Sequence, residues 1–406
     1  MNLEKHRKDF PILNLKKNKI IYFDNAASSL KPKQVIKAIN NYYNDYPANV
    51  HRGIHRLSMQ ASIVYEKAHE DIASFFNCKK EEVIFTQNST DAINLIMYSL
   101  YNSNYFKKGD EIITSIEEHH ANFVPWQFLA KKLKLKLKFI KLTKDQKLDV
   151  LDLKKIITSK TKLVAIAHIS NTLGVINLIS EIIKIAHSKK SLVLVDGSQS
   201  APHLKIDFER LDCDFFVATA HKMLGPTGIG CVIGKEKLLN KFEPFRFGGD
   251  MISNVTLKES KWNSLPYKFE AGTPNISGVF GFLEAVNYLK KVGVNNIYKH
   301  DKEILKYAYE KLKEIKNIII YNCKDIDNQI GIIIFNLKGI EAIELSALLD
   351  EISGVATRAG MHCAQPIIET FDRKGVVRAS FYFYNTKKEV DVFVKTLKKI
   401  DLMVNK

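Results

Sequence analysis

Asp196 and Lys222 are the two residues of this chain best spaced to do chemistry together. Asp196 ends the apolar run LVLVD (192–196), and a second run, DFFVATA (214–220), leads into His221-Lys222. Both runs are strand-sized and mostly apolar, the pattern of strands buried in a parallel sheet. Ligands of open α/β sheets sit at the carboxyl ends of such strands. An aspartate and a lysine delivered side by side there suit pyridoxal phosphate (PLP). The amine forms a Schiff base with the aldehyde, and the carboxylate keeps the pyridine nitrogen protonated so that the ring draws electrons. An internal ion pair between neighbouring strand ends is the plainer reading, and these two residues alone do not choose between them.

Other strand ends add to the pattern. Residues 86–90 (TQNST) close a strand, and residues 91–96 open a helix. Free N–H groups at that helix start, with the hydroxyls of Ser89 and Thr90, make an anion site to which the helix dipole adds ~0.3–1 kcal/mol. Ordinary N-capping by Ser or Thr is the competing reading. His119 and His120 follow the strand IITSI, and a flat imidazole there can stack on a pyridine ring and carry protons near neutral pH. Asn171, in HISNTLGV, and Gln199, three residues after Asp196, can reach a ring hydroxyl. Thr219 and His221 flank Lys222 as phosphate donors. Strand ends that each supply what PLP needs move the balance toward that cofactor.

Cys363 lies in the polar, glycine-containing loop VATRAGMHCAQP (355–366). Arg358 and His362 beside it would favour the thiolate, the reactive form. A cysteine merely tucked under a loop is the alternative. Arg378, in RASFYFYN, offers a fork for a substrate carboxylate. The remaining cysteines, Cys78, Cys213, Cys231 and Cys323, have apolar or helical neighbours and fill space. With five cysteines, dispersed and without a CxxC pair, neither a disulfide framework nor a metal site is expected.

These residues need a scaffold that brings strand ends together. From about residue 20, strand-like and helix-like segments alternate, which points to the α/β class with a mostly parallel sheet covered on both faces. Strand candidates are 82–86, 111–115, 137–142, 162–169, 191–196, 214–220 and 230–234, with helices at 35–46 and 180–188 among them. The last two strands, joined by the turn GPTGIG, can be antiparallel. After residue 275 the texture changes to helices at 276–292 and 296–315, strands in NIIIYN and IGIIIFNL, a helix at 341–351, the strand VVRASFYFY and a final helix from Lys387. The expected division is a large PLP-binding α/β domain (18–290) and a small α+β domain (291–406) carrying the cysteine loop, with 1–17 packing on the latter.

Composition excludes little. At 406 residues, 46% hydrophobic and 26% charged, the chain is ordinary for a soluble globular protein. A net charge of +17 invites nucleic acid as a partner. The lysines, however, scatter over helix faces and no nucleic-acid motif accompanies them, so a solvated basic surface and no nucleic acid is the reading. The start, MNLEKHRKDFPIL, has no apolar signal-like stretch, and no apolar run reaches membrane-span length. A cytoplasmic enzyme without a membrane role is expected, or one of an organelle stroma if a transit peptide has been removed.

Motifs almost end to end carry a family resemblance: YFDNAASSLKP, VHRGIHRLS, EEHHANFVPWQ, ISNTLGV, VDGSQSAPH, CDFFVATAHKMLGPTGIG, FGGDMI, FEAGTPN, RAGMHCAQP and VRASFYFYNT. The chain resembles the class II cysteine desulfurases, the SufS type, among the class-V aminotransferase PLP enzymes of fold type I. The short RAGMHCAQP loop suggests the second class. The resemblance implies conversion of L-cysteine to L-alanine with a persulfide left on Cys363, supplying sulfur for iron–sulfur cluster assembly. It implies Lys222 as the Schiff-base lysine, Asp196 as partner of the pyridinium and His119 as the stacking acid/base. Asn171 and Gln199 would contact the ring oxygen, and Ser89, Thr90, Thr219 and His221 the phosphate. Arg378, Asn171 and Arg358 would hold the substrate. Thr273 would reach the phosphate of a neighbouring subunit, hence a homodimer. A sulfur acceptor of the SufE or SufU type is the implied partner. The alternative on the same fold is a selenocysteine lyase, acting on L-selenocysteine, or a cysteine sulfinate desulfinase. Two positions depart from the family pattern: Thr219 stands where serine is common and keeps its hydroxyl, whereas Met361 replaces a common histidine and leaves His362 as the only imidazole of the loop.

Overall fold

The computed structural model describes residues 3–15, 19–323 and 325–405. Residues 1, 2 and 16–18, part of the expected segment 1–17 and its boundary at 18, lie outside the described residues.

Seven strands form the larger sheet: β1 (Val83–Thr86), β2 (Glu111–Ser115), β3 (Lys136–Ile140), β4 (Thr161–Ala167), β5 (Leu192–Asp196), β6 (Phe215–Thr219) and β7 (Gly230–Gly234). Their order is β1-β7-β6-β5-β4-β2-β3. The pairs β3/β2, β2/β4, β4/β5 and β5/β6 are parallel, whereas β7 runs antiparallel to both β6 and β1. The antiparallel turn after GPTGIG is thus as expected. Strands β1, β2, β6 and β7 are buried at every residue, which explains their nearly unbroken apolar sequences. Edge strand β3 is shorter than the expected 137–142 and exposes Lys136 and Phe139. Lysine on a sheet edge discourages pairing with another chain.

Helices cover both faces. On one side, α1 (Lys33–Asp45) and α2 (Arg56–Phe76) pack against α4 (Ile276–Val292), while α3 (Ser89–Asn102) lies over β7 and β6. Helix α2 is a long element that the strand-and-helix reading above lacks. Its buried positions, Ala61, Tyr65, Ala68, Ile72 and Phe76, recur at helical spacing. Asn77, with φ of 52°, ends it in the left-handed conformation that asparagine tolerates.

The second sheet has four antiparallel strands, β8 (Ile318–Ile320), β9 (Ile332–Leu337), β10 (Arg358–Gly360) and β11 (Val376–Ser380), in the order β8-β9-β11-β10. Helices α5 (Val294–Lys313), α6 (Ala342–Ser353) and α8 (Lys387–Val404) pack on it. The strand expected over VVRASFYFY stops at Ser380, because Phe381–Tyr384 turns inward to join an aromatic cluster. Phe10 packs there at 4.6 Å from Tyr384, ring centre to ring centre, and Arg7 pairs with Glu389 at 2.9 Å. Residues 3–10 therefore tie α4 and α8 together across the seam between the sheets, touching both sides of it. The short α7 (Gln365–Ile368) follows the cysteine loop.

Candidate active site

One cavity of about 630 Å³ opens between the carboxyl ends of β4, β5 and β6 and the loop after β10. That size suits a cofactor with a small substrate. Its lining contains every sequence-predicted residue except Thr273 and the second imidazole of the pair, His120. Lys222 and Cys363, separated by 141 positions, face one space.

Lys222 ends a tight turn (Ala220–Lys222) directly after β6 rather than lying in the strand itself. It is buried, and burial lowers its amine to a pKa of about 8, opposed by the charge of Asp196. A lysine poised near neutrality is a nucleophilic amine. The carbonyl just before it, that of His221, is gripped from behind. Ser29 N–H donates to it at 2.9 Å and the Lys31 ammonium at 3.0 Å. The base of the Lys222 side chain is therefore fixed from the backbone.

Asp196 ends β5, and its Oδ1 accepts from the Ser198 N–H at 2.9 Å and the Ser198 hydroxyl at 2.5 Å. Ser198 spends its only proton there, so the Ser89 hydroxyl, 2.6 Å away, is the donor to Ser198. Ser198 was not singled out in the sequence, although it sits inside VDGSQSAPH. Gly197 is forced by packing: a Cβ there would lie 1.9 Å from the Phe216 ring. The turn that aims Asp196 and Ser198 thus depends on a missing side chain.

At the start of α3 the N-cap is Asn88, whose side chain accepts from Asp91 N–H at 3.0 Å. Capping by Ser89 or Thr90 is thereby corrected: both fall inside the first turn, and Thr90 is exposed at the cavity. The N–H groups of that turn and the pair Thr219–His221 (Oγ1 to Nδ1, 2.8 Å) bound the same side of the space. Burial, then the charge of Lys222, lowers His221 to about 4, so it is neutral.

His119 follows β2. The Ala121 N–H donates to its Nδ1 at 3.0 Å, which leaves the ring proton on Nε2. Burial and the Lys222 charge lower its pKa to about 4. Behind it lie two fully buried carboxyls. Glu118 accepts from Ser115 (2.8 Å), Asn122 (2.7 Å) and the Ala167 N–H (3.1 Å), joining the ends of β2 and β4. Burial raises Glu118 to about 8 and Glu117 to about 7.

Asn171 gives one N–H to the His362 carbonyl at 2.9 Å, and Gln199 gives one to the Ala26 carbonyl at 2.8 Å. Arg378 is buried and donates through Nη1 to the Asn171 carbonyl at 2.8 Å, while its buried Nε has no partner among the described residues. A buried, unused guanidinium donor at a cavity wall fits an anionic ligand group. Arg358 is differently engaged. Its Nε and Nη2 hold both oxygens of Asp24 at 2.8–3.1 Å. Asp24, a residue missed in the sequence, is the reason Arg358 has little fork to spare for substrate.

Cys363 is exposed. Successive left-handed residues carry it, His362 (φ 51°) and Cys363 (φ 54°). For side chains with a Cβ that conformation costs roughly 1–2 kcal/mol each. The thiol lies in the field of Lys222, Arg358 and Arg378. His362 adds no charge: its Nε2 donates to the Val376 carbonyl at 2.9 Å, and burial lowers it to about 3. The expected help of His362 toward a thiolate is therefore corrected to a structural tie.

Thr273 lies outside this cavity, in an adjacent pocket that shares only Gly228 with it. No cluster of three or more metal-ligating side chains occurs among the described residues.

PLP fits the residues present. The cavity holds a buried amine of lowered pKa, an aspartate with one oxygen left without a hydrogen bond from the described residues, a helix start and a buried guanidinium donor.

Comparison with known proteins agrees with this geometry. Residues 21–393 match the family of class-V aminotransferases. A probable cysteine desulfurase of Halalkalibacterium halodurans is 44% identical over 402 residues, 98% of each chain. The apo cysteine desulfurase of Thermococcus onnurineus NA1 superposes with a TM-score of 0.94 at 39% identity, over 98% of each chain. The Escherichia coli cysteine desulfurase CsdA gives 0.91 at 33% identity, over 100% of this chain and 99% of the other.

Proposed function

Since the chain belongs to the class-V aminotransferase family, we propose that it is a PLP-dependent cysteine desulfurase that stores sulfur as a persulfide on Cys363. The observation that carries this reading is the shared cavity: a buried amine of lowered pKa and an exposed thiol face one space, whose wall holds a guanidinium with an Nε that has no partner among the described residues.

Bound PLP supplies the electron sink that makes the Cα–H and Cβ–S bonds of cysteine breakable. The rest belongs to the chain. Lys222 would anchor the cofactor and, as a neutral amine, take the proton from substrate Cα. Asp196, steadied by Ser198, would hold a proton on the pyridine nitrogen. His119 would stack on the ring and, supplied with the proton that Lys222 has taken from Cα, pass it to the departing carbon skeleton. Such acid–base help is worth on the order of 10²–10⁴-fold. Arg378 binds the substrate carboxylate, with Asn171 beside it. The first turn of α3, Thr90, Thr219 and His221 would hold the phosphate, and Gln199 the ring oxygen.

Cys363 receives the sulfur. Its thiolate bonds to the substrate sulfur as the Cβ–S bond breaks, and the carbon fragment gains the proton. Net, cysteine and a thiol become alanine and a persulfide, with no outside oxidant. Splitting the reaction this way keeps sulfur bound until an acceptor takes it. Exposure of Cys363 suits delivery to a protein acceptor of the SufE or SufU type, for iron–sulfur cluster assembly. A homodimer is supported by Thr273 lying beside, not within, its own chain's cavity.

Two variants test this reading. Lys222→Ala should lose the visible absorption of the bound cofactor. Cys363→Ser should keep that absorption and lose sulfur release from cysteine; sulfur release at the parent rate would refute the persulfide route.

A further inference from the structure

His120 belongs to the loop after β2 yet is absent from the cavity lining, and the mechanism above gives it no task. Its two nitrogen-bearing groups both turn to the cysteine loop. The backbone N–H of His120 donates to the Cys363 carbonyl at 2.6 Å. Its ring Nε2 accepts the N–H of Gln365 at 3.2 Å. The contacts bracket Cys363: one holds its own carbonyl, the other the first residue of α7, two positions on.

The loop needs such holding. Cys363 and His362 are both left-handed without being glycine, so the free chain would abandon this shape. On the far side the loop is fixed by Asn171 to the His362 carbonyl and by His362 to Val376. It also rests on a close glycine contact, since a Cβ on Gly375 would lie 2.7 Å from Gly360 Cα. Those ties hold the residues before the thiol. On the side after it, the His120 ring is the side chain that catches the backbone.

We propose that His120 is a positioning residue which clamps Cys363 and the start of α7 onto the loop carrying His119, setting the thiol against the substrate sulfur. The proposal rests on the reading of Cys363 as sulfur acceptor. An imidazole serves because Nε2 presents a lone pair in a fixed direction at the end of a short side chain. The clamp also joins the two halves of the chemistry mechanically: the residue next to the acid/base His119 holds the thiol that must attack. His120 does not line the cavity that would hold substrate and cofactor.

The test uses PLP-loaded enzyme with His120→Ala and His120→Gln, the glutamine Oε1 offering an acceptor where Nε2 stood. In a single turnover with cysteine, His120→Ala should form the Cys363 persulfide more slowly by on the order of 10²-fold, the cost of a misplaced reacting atom. Its visible spectrum and KM for cysteine should stay those of the parent. Hydrogen exchange at the Gln365 amide should speed up in the alanine variant. Glutamine should restore both the rate and the amide protection. Persulfide formation at the parent rate in His120→Ala, or a glutamine variant as slow as the alanine one, would overturn the clamp. Failure of the underlying reading shows elsewhere: it would leave Cys363→Ser releasing sulfur, whatever the exchange at Gln365.

Discussion

Asp24 grips Arg358 with both carboxylate oxygens and stands 3.6 Å from Arg378. One acid thus lies against two arginines of the cavity wall, but unequally: it fills the fork of Arg358 and leaves the Arg378 Nε without a partner among the described residues. On the proposed reading Arg378 is then the arginine with a donor to offer a substrate carboxylate, whereas Arg358 is a partner of Asp24. Charge-assisted hydrogen bonds of this kind contribute about 1.5–3 kcal/mol. Arg378→Lys should lower kcat/KM for cysteine about tenfold to a hundredfold, mainly through KM, because ammonium cannot reproduce the fork. Arg358→Lys should cost less. Steady-state kinetics on both variants check this, and a larger loss in Arg358→Lys would reverse the assignment.

Cofactor loading should follow the protonation of Lys222. The buried amine has a pKa of about 8, so PLP uptake by cofactor-free enzyme should speed up as pH rises through 8 and level off above it. The Asp196 charge works against burial and holds that value up. Asp196→Asn should accordingly shift the midpoint to lower pH. Growth of the visible band against pH measures both, and a midpoint moved upward in Asp196→Asn would contradict the electrostatics.

Glu118 should make stability depend on pH in an unusual sense. Its carboxyl is raised from 4.5 to about 8 by burial and by Glu117. Between those values the folded protein keeps a proton that the unfolded chain has lost. Its contribution is therefore complete below pH 4.5 and is lost as pH rises through 8, at up to about 1.4 kcal/mol per pH unit. Glu118→Gln removes this dependence. The stability advantage of the parent over the variant, from denaturant melts, should be largest near pH 5 and shrink toward pH 8. A gap that widens with pH would show the carboxyl to be ionised in the fold.

Much of this site was legible from local signals. The apolar runs leading to Asn171, Asp196 and Lys222 hold the buried strands β4, β5 and β6, which end at Ala167, Asp196 and Thr219, so their ends had to meet along one side of a parallel sheet. Arg378, on β11, and Cys363, in the loop after β10, face the same cavity from the second sheet. What the sequence hid is reciprocal pairing. Nothing in YFDNAASSLKP tells that Asp24 occupies Arg358, because the partners are 334 positions apart. The charge of His362 was misjudged for a related reason. A histidine beside a cysteine looks like a base, and only packing shows its Nε2 spent on Val376 and its ring buried. Helix α2, by contrast, is written in the helical spacing of Ala61, Tyr65, Ala68 and Ile72.

Sulfur on Cys363 is the quantity on which the account turns. Mass spectrometry of the intact holoenzyme and its peptides, after brief exposure to cysteine and without reductant, measures it directly. One added sulfur atom should be found on the peptide carrying Cys363, lost on reduction and missing in Cys363→Ser. Alanine formed at the parent rate with Cys363 unmodified, or the added sulfur on Cys78, Cys213, Cys231 or Cys323 instead, would contradict it.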